Sequence, residues 1–159
     1  MDQRRQVTRL LDEEHRTNLS LLRRVEQALT APDQARGQGD LMAAFGRQFE
    51  QEVSRHFEFE ERDLFPRLND CGAGDLAALL MEEHDAIRAV ADDLLPLARA
   101  AGAGELDDPG WAALKRNALE MIERLTAHID KETLALLPVL DSLLDEDTDR
   151  DLAFAYSTA

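Results

Sequence analysis

The stretch His56-Phe57-Glu58-Phe59-Glu60-Glu61-Arg62-Asp63-Leu64-Phe65-Pro66 returns later in the chain as His128-Ile129-Asp130-Lys131-Glu132-Thr133-Leu134-Ala135-Leu136-Leu137-Pro138. Both read H-x3-E-x5-P. In a helix, residues i and i+4 lie on one face, so each copy presents an imidazole and a carboxylate one turn apart. A shorter phrase precedes each copy: Glu13-Glu14-His15 before the first and Glu82-Glu83-His84 before the second. The chain therefore divides into two related halves, each supplying two histidines and one glutamate. The four histidines of these phrases are all that the chain contains.

Around these phrases the sequence is helical in pattern. Apolar residues recur at helical spacing in four segments. They run from about Arg4 to Thr30, Asp40 to Leu68, Asp75 to Ala100 and Pro109 to Leu144. Three clusters of turn residues separate them: Ala31-Pro32-Asp33 through Asp40, Asn69 through Asp75, and Ala101 through Gly110. Four helices of similar length with short connections predict an all-α, up-down-up-down four-helix bundle. Pro66, Pro96 and Pro138 each lack a backbone donor and are expected to end or kink their helices. The bundle domain is expected over residues 1–147. The polar residues from Asp145 onward, with 148–159 as the C-terminal tail, read as a loose extension from which Phe154 and Tyr156 could still dock on the bundle.

Each segment carries one histidine on its apolar stripe, so all four should point inward. His56 follows His15 by 41 residues and His128 follows His84 by 44, which places them at comparable depths in antiparallel hairpins. A single His-x3-Glu pair means little in a chain with 33 acidic residues, where solvated helix pairs are common. The ordered repeat is what singles out His15, His56, Glu60, His84, His128 and Glu132 as candidate metal ligands. A bare buried carboxylate is costly, and two cations would remove that cost. Imidazole suits iron, zinc and copper, and carboxylate bridges hard ions such as iron or manganese. Two histidines for each metal and two shared carboxylates would leave a coordination position open for a small molecule.

Composition narrows the remaining classes. Thirty-three acidic against 18 basic residues give a net charge of −15, which repels phosphate backbones and anionic lipid. Neither nucleic acid nor membrane is expected as a partner. No apolar signal core or membrane-length apolar run is read, so a cytoplasmic protein is the expectation. Cys71 is the only cysteine, which precludes an internal disulfide. Glu14, Glu52 and Glu83 lie near the level of the histidines. They are read as solvated helix edges first, and as alternative ligands or imidazole acceptors second. Arg88 is read as a surface ion-pair partner and Trp111 as a packing residue.

The ordered set Glu14-His15, His56-Phe57-x-x-Glu60-Glu61-x-x-Leu64-Phe65-Pro66, Glu83-His84 and His128-x3-Glu132-x5-Pro138 resembles the hemerythrin-like (HHE cation-binding) domain family, from about Arg4 to Leu144. The resemblance implies a left-handed four-helix bundle around two iron ions bridged by carboxylates and an oxo or hydroxo group. The six residues named above would be the ligands, with O2, NO or peroxide as the small-molecule partner. Oxygen-carrying members supply five histidines, two of them one turn apart on the third helix. Here Leu80 and Arg88 stand at that spacing from His84. The four-histidine, two-glutamate set is closer to members linked to iron, oxygen or nitric oxide sensing and to iron–sulfur repair. A metal- or redox-dependent sensor and an iron donor are the alternatives. Ferritin-type Glu-x-x-His and the zinc hydrolase H-E-x-x-H do not occur.

Overall fold

The apolar stripes assemble as their periodicity requires. A computed structural model describes residues 4–31 and 35–159, and among these the only regular elements are helices. We label them α1 (Gln6–Thr30), α2 (residues 39–70), α3 (Gly74–Gly102), α4 (residues 108–143) and α5 (Glu146–Thr158). A short 3-10 turn, Ala35–Gln38, leads into α2. Pro32 and Asp33, expected in the first loop, lie outside the described residues. The helix α1 packs against α2 and α4, and α3 packs against the same two, so the first four form a bundle. Gly72, with φ at 87°, turns the chain from α2 into α3 in a conformation that favours glycine. The Asp107 carboxylate caps α4 by accepting from the Gly110 N–H at 2.8 Å.

Two apolar clusters fill the bundle. One contains Leu22, Val25, Phe45, Phe57, Ile87, Leu94, Met121 and Leu125. The other contains Leu11, Leu64, Phe65, Leu68, Leu80, Leu136 and Leu140. Every one of the four bundle helices contributes to both. The histidines lie where the chain passes from one cluster to the other: between Leu11 and Leu22 on α1, and between Leu80 and Ile87 on α3. Burial of each large apolar side chain contributes about 1.5–3 kcal/mol, so the polar layer is held between two strongly stabilised blocks.

None of the three prolines ends its helix. In α2 and α4 the backbone widens into a π turn just before the proline, at Glu60–Leu64 and Glu132–Leu136. The Phe65 N–H reaches back to the Glu60 carbonyl, and the Leu137 N–H to that of Glu132. Proline cannot donate to the carbonyl four residues back, and its ring collides with it. The wider turn accommodates both problems and lets the helices run on to Asp70 and Leu143. The x5-P part of the repeat is thus a backbone device, and it begins at the glutamate itself. Pro96 lies inside α3, which continues to Gly102.

The expected loose tail is corrected. Residues Glu146–Thr158 form a helix, capped by Asp145 through the Thr148 N–H at 2.7 Å. It buries Asp149, Ala153 and Tyr156 against the bundle, while Phe154 is exposed. The Asp149 carboxylate accepts from the N–H groups of Gln6 and Val7, both at 2.9 Å. Those are unpaired donors at the start of α1, so the fifth helix caps the first. A stripe made of Asp, Ala and Tyr carries no apolar periodicity, which is why the sequence reading foresaw the docking of Tyr156 but not the helix.

Candidate metal centre

All six sequence-derived candidates meet in the layer between the two apolar clusters. His15 comes from α1, His56 and Glu60 from α2, His84 from α3, and His128 and Glu132 from α4. None is more than 3% exposed. They form two overlapping groups that could each hold a metal ion: His15, His56, Glu60 and Glu132, and Glu60, His84, His128 and Glu132. Within each group, one ligand atom per residue lies within 4.8 Å of all the others. Both carboxylates belong to both groups, so they stand between the two histidine pairs.

The outward-facing ring nitrogens decide the chemistry of the inward-facing ones. His56 Nδ1 lies 2.6 Å from Glu14 Oε2, His84 Nδ1 2.6 Å from Glu61 Oε2, and His128 Nδ1 2.8 Å from Glu83 Oε1. A carboxylate only accepts, so in each pair the Nδ1–H donates. A neutral imidazole then keeps a bare lone pair on Nε2. His15 Nδ1 meets the Thr133 hydroxyl instead, at 3.3 Å.

The bare atoms face other acceptors. His84 and His128 bring their Nε2 atoms within 3.1 Å of each other. His15 Nε2 lies 3.2 Å, and His128 Nε2 3.1 Å, from Glu132 Oε1, while His56 Nε2 contacts Glu60. Both Glu60 oxygens, Glu132 Oε2 and His15 Nε2 are buried without a hydrogen-bond partner. Only positive charge placed among these atoms reconciles them. With protein groups alone, burial and the neighbouring charges push these groups in opposite directions. Burial and then the charge of Glu132 push the Glu60 carboxyl well above its usual range. Burial opposes a raised pKa at His56, but the charge of Glu60 overcomes it. Burial and the neighbouring His128 drive His84 down to about 3. Metal cations would serve the same electrostatic need with more charge, and a nitrogen–carboxylate donor set suits them.

The supporting contacts run in one direction around the bundle. Glu14 on α1 serves His56 on α2, Glu61 on α2 serves His84 on α3, and Glu83 on α3 serves His128 on α4. Thr133 on α4 closes the circuit at His15 on α1. Each of the three carboxylates also has a cation beside it: Arg55 at 3.6 Å from Glu14, Arg88 at 2.8 Å from Glu61, and Lys131 paired with Glu83. Burial opposes ionisation of Glu14 and Glu83. Hydrogen bonds from His56 to Glu14, and from Lys131 and His128 to Glu83, nevertheless hold both below the usual range. Phe57 stacks on His84 with ring centroids 3.7 Å apart, and Phe65 closes on the same ring at 5.4 Å.

Glu14 and Glu83 therefore act as imidazole acceptors rather than as solvated edges. Glu52 does not reach a histidine and sits 3.8 Å from Arg55. Arg88 is an ion-pair partner as expected, although the carboxylate it pairs with is the one supporting His84. Trp111 packs against the core. Cys71 is exposed. Sequence reasoning missed Glu61 and Thr133, and read Tyr156 as a docking residue without its contact to Glu14. The repeat held a signal for the first two, because both follow the repeated glutamate directly. Tyr156 had no such signal.

Comparison with known families adds one finding. The family model for the hemerythrin HHE cation binding domain matches residues 6–140, which covers all six candidates. Among curated proteins, none matches the chain.

Proposed function

The chain belongs to the hemerythrin HHE cation-binding domain family, and we propose that it is a non-haem di-iron protein that binds, senses or reacts with O2, NO or peroxide. His15 and His56 would hold one cation, His84 and His128 the other, and Glu60 and Glu132 would serve both. Bound iron would supply reversible electron transfer and an open coordination position for a small molecule.

The chain's own residues prepare that site. Glu14, Glu61 and Glu83 keep a proton on Nδ1 of three imidazoles and so aim three bare Nε2 atoms at the buried carboxylates. That arrangement is the single observation that carries the reading. Phe57 and Phe65 shield His84 from water. Burial of all six side chains makes an uncompensated site costly and a cation-filled one favourable.

The test is metal content after aerobic purification from iron-supplemented medium. The wild-type chain should carry about two irons, the load that four histidines and two shared carboxylates can hold. The His56→Ala/His128→Ala double variant should carry none. Unchanged iron in the double variant would sink the assignment. Anaerobic iron(II) protein should then change its absorption spectrum on addition of O2, NO or peroxide. Silence toward all three would reject the small-molecule chemistry while leaving the metal site standing.

A further inference from the structure

The three supporting carboxylates are not held alike. Glu61 and Glu83 are steadied by charged partners on the bundle helices themselves, Arg88 and Lys131. Glu14 is steadied by a neutral donor from outside the four-helix bundle. The Tyr156 hydroxyl, on α5, donates to Glu14 with its oxygen 2.8 Å from Oε1 and 2.6 Å from Oε2. Glu14 Oε2 is the same atom that accepts from His56 Nδ1. A continuous path of hydrogen bonds therefore runs from the C-terminal helix to an imidazole of the metal layer. The Arg55 guanidinium, at 3.6 Å from Glu14, is the more distant neighbour.

Tyr156 is itself held on several sides. Its ring stacks on Phe59 with centroids 4.4 Å apart, and it is 4% exposed. Arg55 lies over the ring at 4.3 Å, and its Nη1 donates to the Tyr156 carbonyl at 2.6 Å. Seven residues earlier on the same helix, Asp149 caps the start of α1. Helix α5 thus grips α1 at its first turn and again at Glu14, next to His15.

We propose that Tyr156 is a positioning residue for the His15/His56 half of the metal centre, so that the docked C-terminal helix sets how tightly that half holds its cation. The inference rests on the metal-centre reading above. The hydroxyl fixes the Glu14 carboxylate in the orientation that accepts from His56, and that bond fixes the His56 ring with Nε2 facing inward. Without it, Glu14 can turn toward Arg55 and solvent, and the imidazole loses both its orientation and its acceptor. The His84/His128 half has no contact with α5 through Glu61 or Glu83 and should not respond. A plain anchoring role for Tyr156 would make a different prediction, since the ring alone supplies the stacking and the burial.

The Tyr156→Phe variant separates the two, because it removes only the hydroxyl. Cobalt(II) is the probe: it takes nitrogen–oxygen sites and reports each binding step by its visible absorption. The metal-free chain should bind cobalt(II) in two steps. Tyr156→Phe should weaken one step by about tenfold, the low end of what loss of an outer hydrogen bond costs a metal site, and leave the other unchanged. Phe154→Ala is the control, since Phe154 lies on the same helix but is 70% exposed. It should alter neither step. Two unchanged steps in Tyr156→Phe would overturn the inference, as would equal weakening of both, the mark of general loosening. No cobalt or iron uptake by the wild-type chain would instead bring down the metal reading, and the inference with it.

Discussion

The two halves of the centre match in their candidate ligands and differ in their support. His84 and His128 both rest their Nδ1 atoms on carboxylates, and each carboxylate has a charged partner. In the other half, only His56 rests on a carboxylate, and that Glu14 has the Tyr156 hydroxyl at 2.6 Å with Arg55 further off at 3.6 Å. His15 has a neutral hydroxyl at 3.3 Å. The residues correspond through the repeat: Glu14 to Glu83, His15 to His84, His56 to His128, Glu60 to Glu132, and Glu61 to Thr133. The last pair breaks the symmetry. An anionic acceptor makes an imidazole a stronger donor to a metal than a neutral hydroxyl does. A sequence repeat can thus specify two similar candidate cation positions while their surroundings differ, and unequal affinity is the expected result.

The shared carboxylates carry the largest expected effect. Glu60→Ala removes a group common to both halves, so the protein should lose both cations. His84→Ala should empty only its own half and retain the cation held by His15 and His56. Elemental analysis of iron per chain reads both outcomes, and equal losses in the two variants would mean that the halves are not separable.

The next test sharpens the difference in support. Glu83→Gln keeps the shape and removes the charge that backs His128. It should weaken the His84/His128 step by about 10–100-fold in a cobalt(II) titration. Thr133→Glu does the reverse in the other half, and the exposed position leaves room for the longer side chain. It should tighten the His15/His56 step by about tenfold and bring the two steps closer together. If it leaves the gap between the steps unchanged, the hydroxyl is not what makes the halves unequal.

Two stability effects test the frame that carries both halves. A Cβ at Gly102 would lie 2.6 Å from Ala43 Cβ, where α3 crosses α2. Gly102→Leu should cost about 1–3 kcal/mol through overpacking. In a chain of this size, thermal denaturation should register about 2–4 °C per kcal/mol. Asp149→Ala removes the cap on α1 and should cost about 1 kcal/mol. Cobalt(II) stoichiometry should remain unchanged in both, because neither residue touches the metal layer. A change in stoichiometry would tie the frame to the site more closely than the contacts suggest.

Much of this molecule can be read from spacing. The four bundle helices follow from apolar periodicity, and the inward set of His15, His56, Glu60, His84, His128 and Glu132 follows from the repeated phrase. These features are local: a helix fixes which residues share a face, and burial follows the face. The role of Pro66 and Pro138 was only half legible. The missing donor predicted a disturbance, but the π turn that absorbs it is a choice of backbone hydrogen bonds that spacing does not reveal. The fifth helix was illegible to apolar patterning, because its buried stripe is Asp149, Ala153 and Tyr156.

Residue order and spacing suffice for the helical class, the two-part repeat and the six side chains that gather at one depth. Tertiary structure alone decided which residue serves which histidine. Glu14 is the neighbour of His15 in sequence yet serves His56, and Glu83 is the neighbour of His84 yet serves His128. The reason is geometric. Consecutive helical residues point about 100° apart, so a side chain beside an inward histidine faces the adjacent helix rather than the histidine next to it. Partner choice across that gap depends on how the helices are arranged around the bundle, and on whether a C-terminal helix lies close enough to place Tyr156 on Glu14.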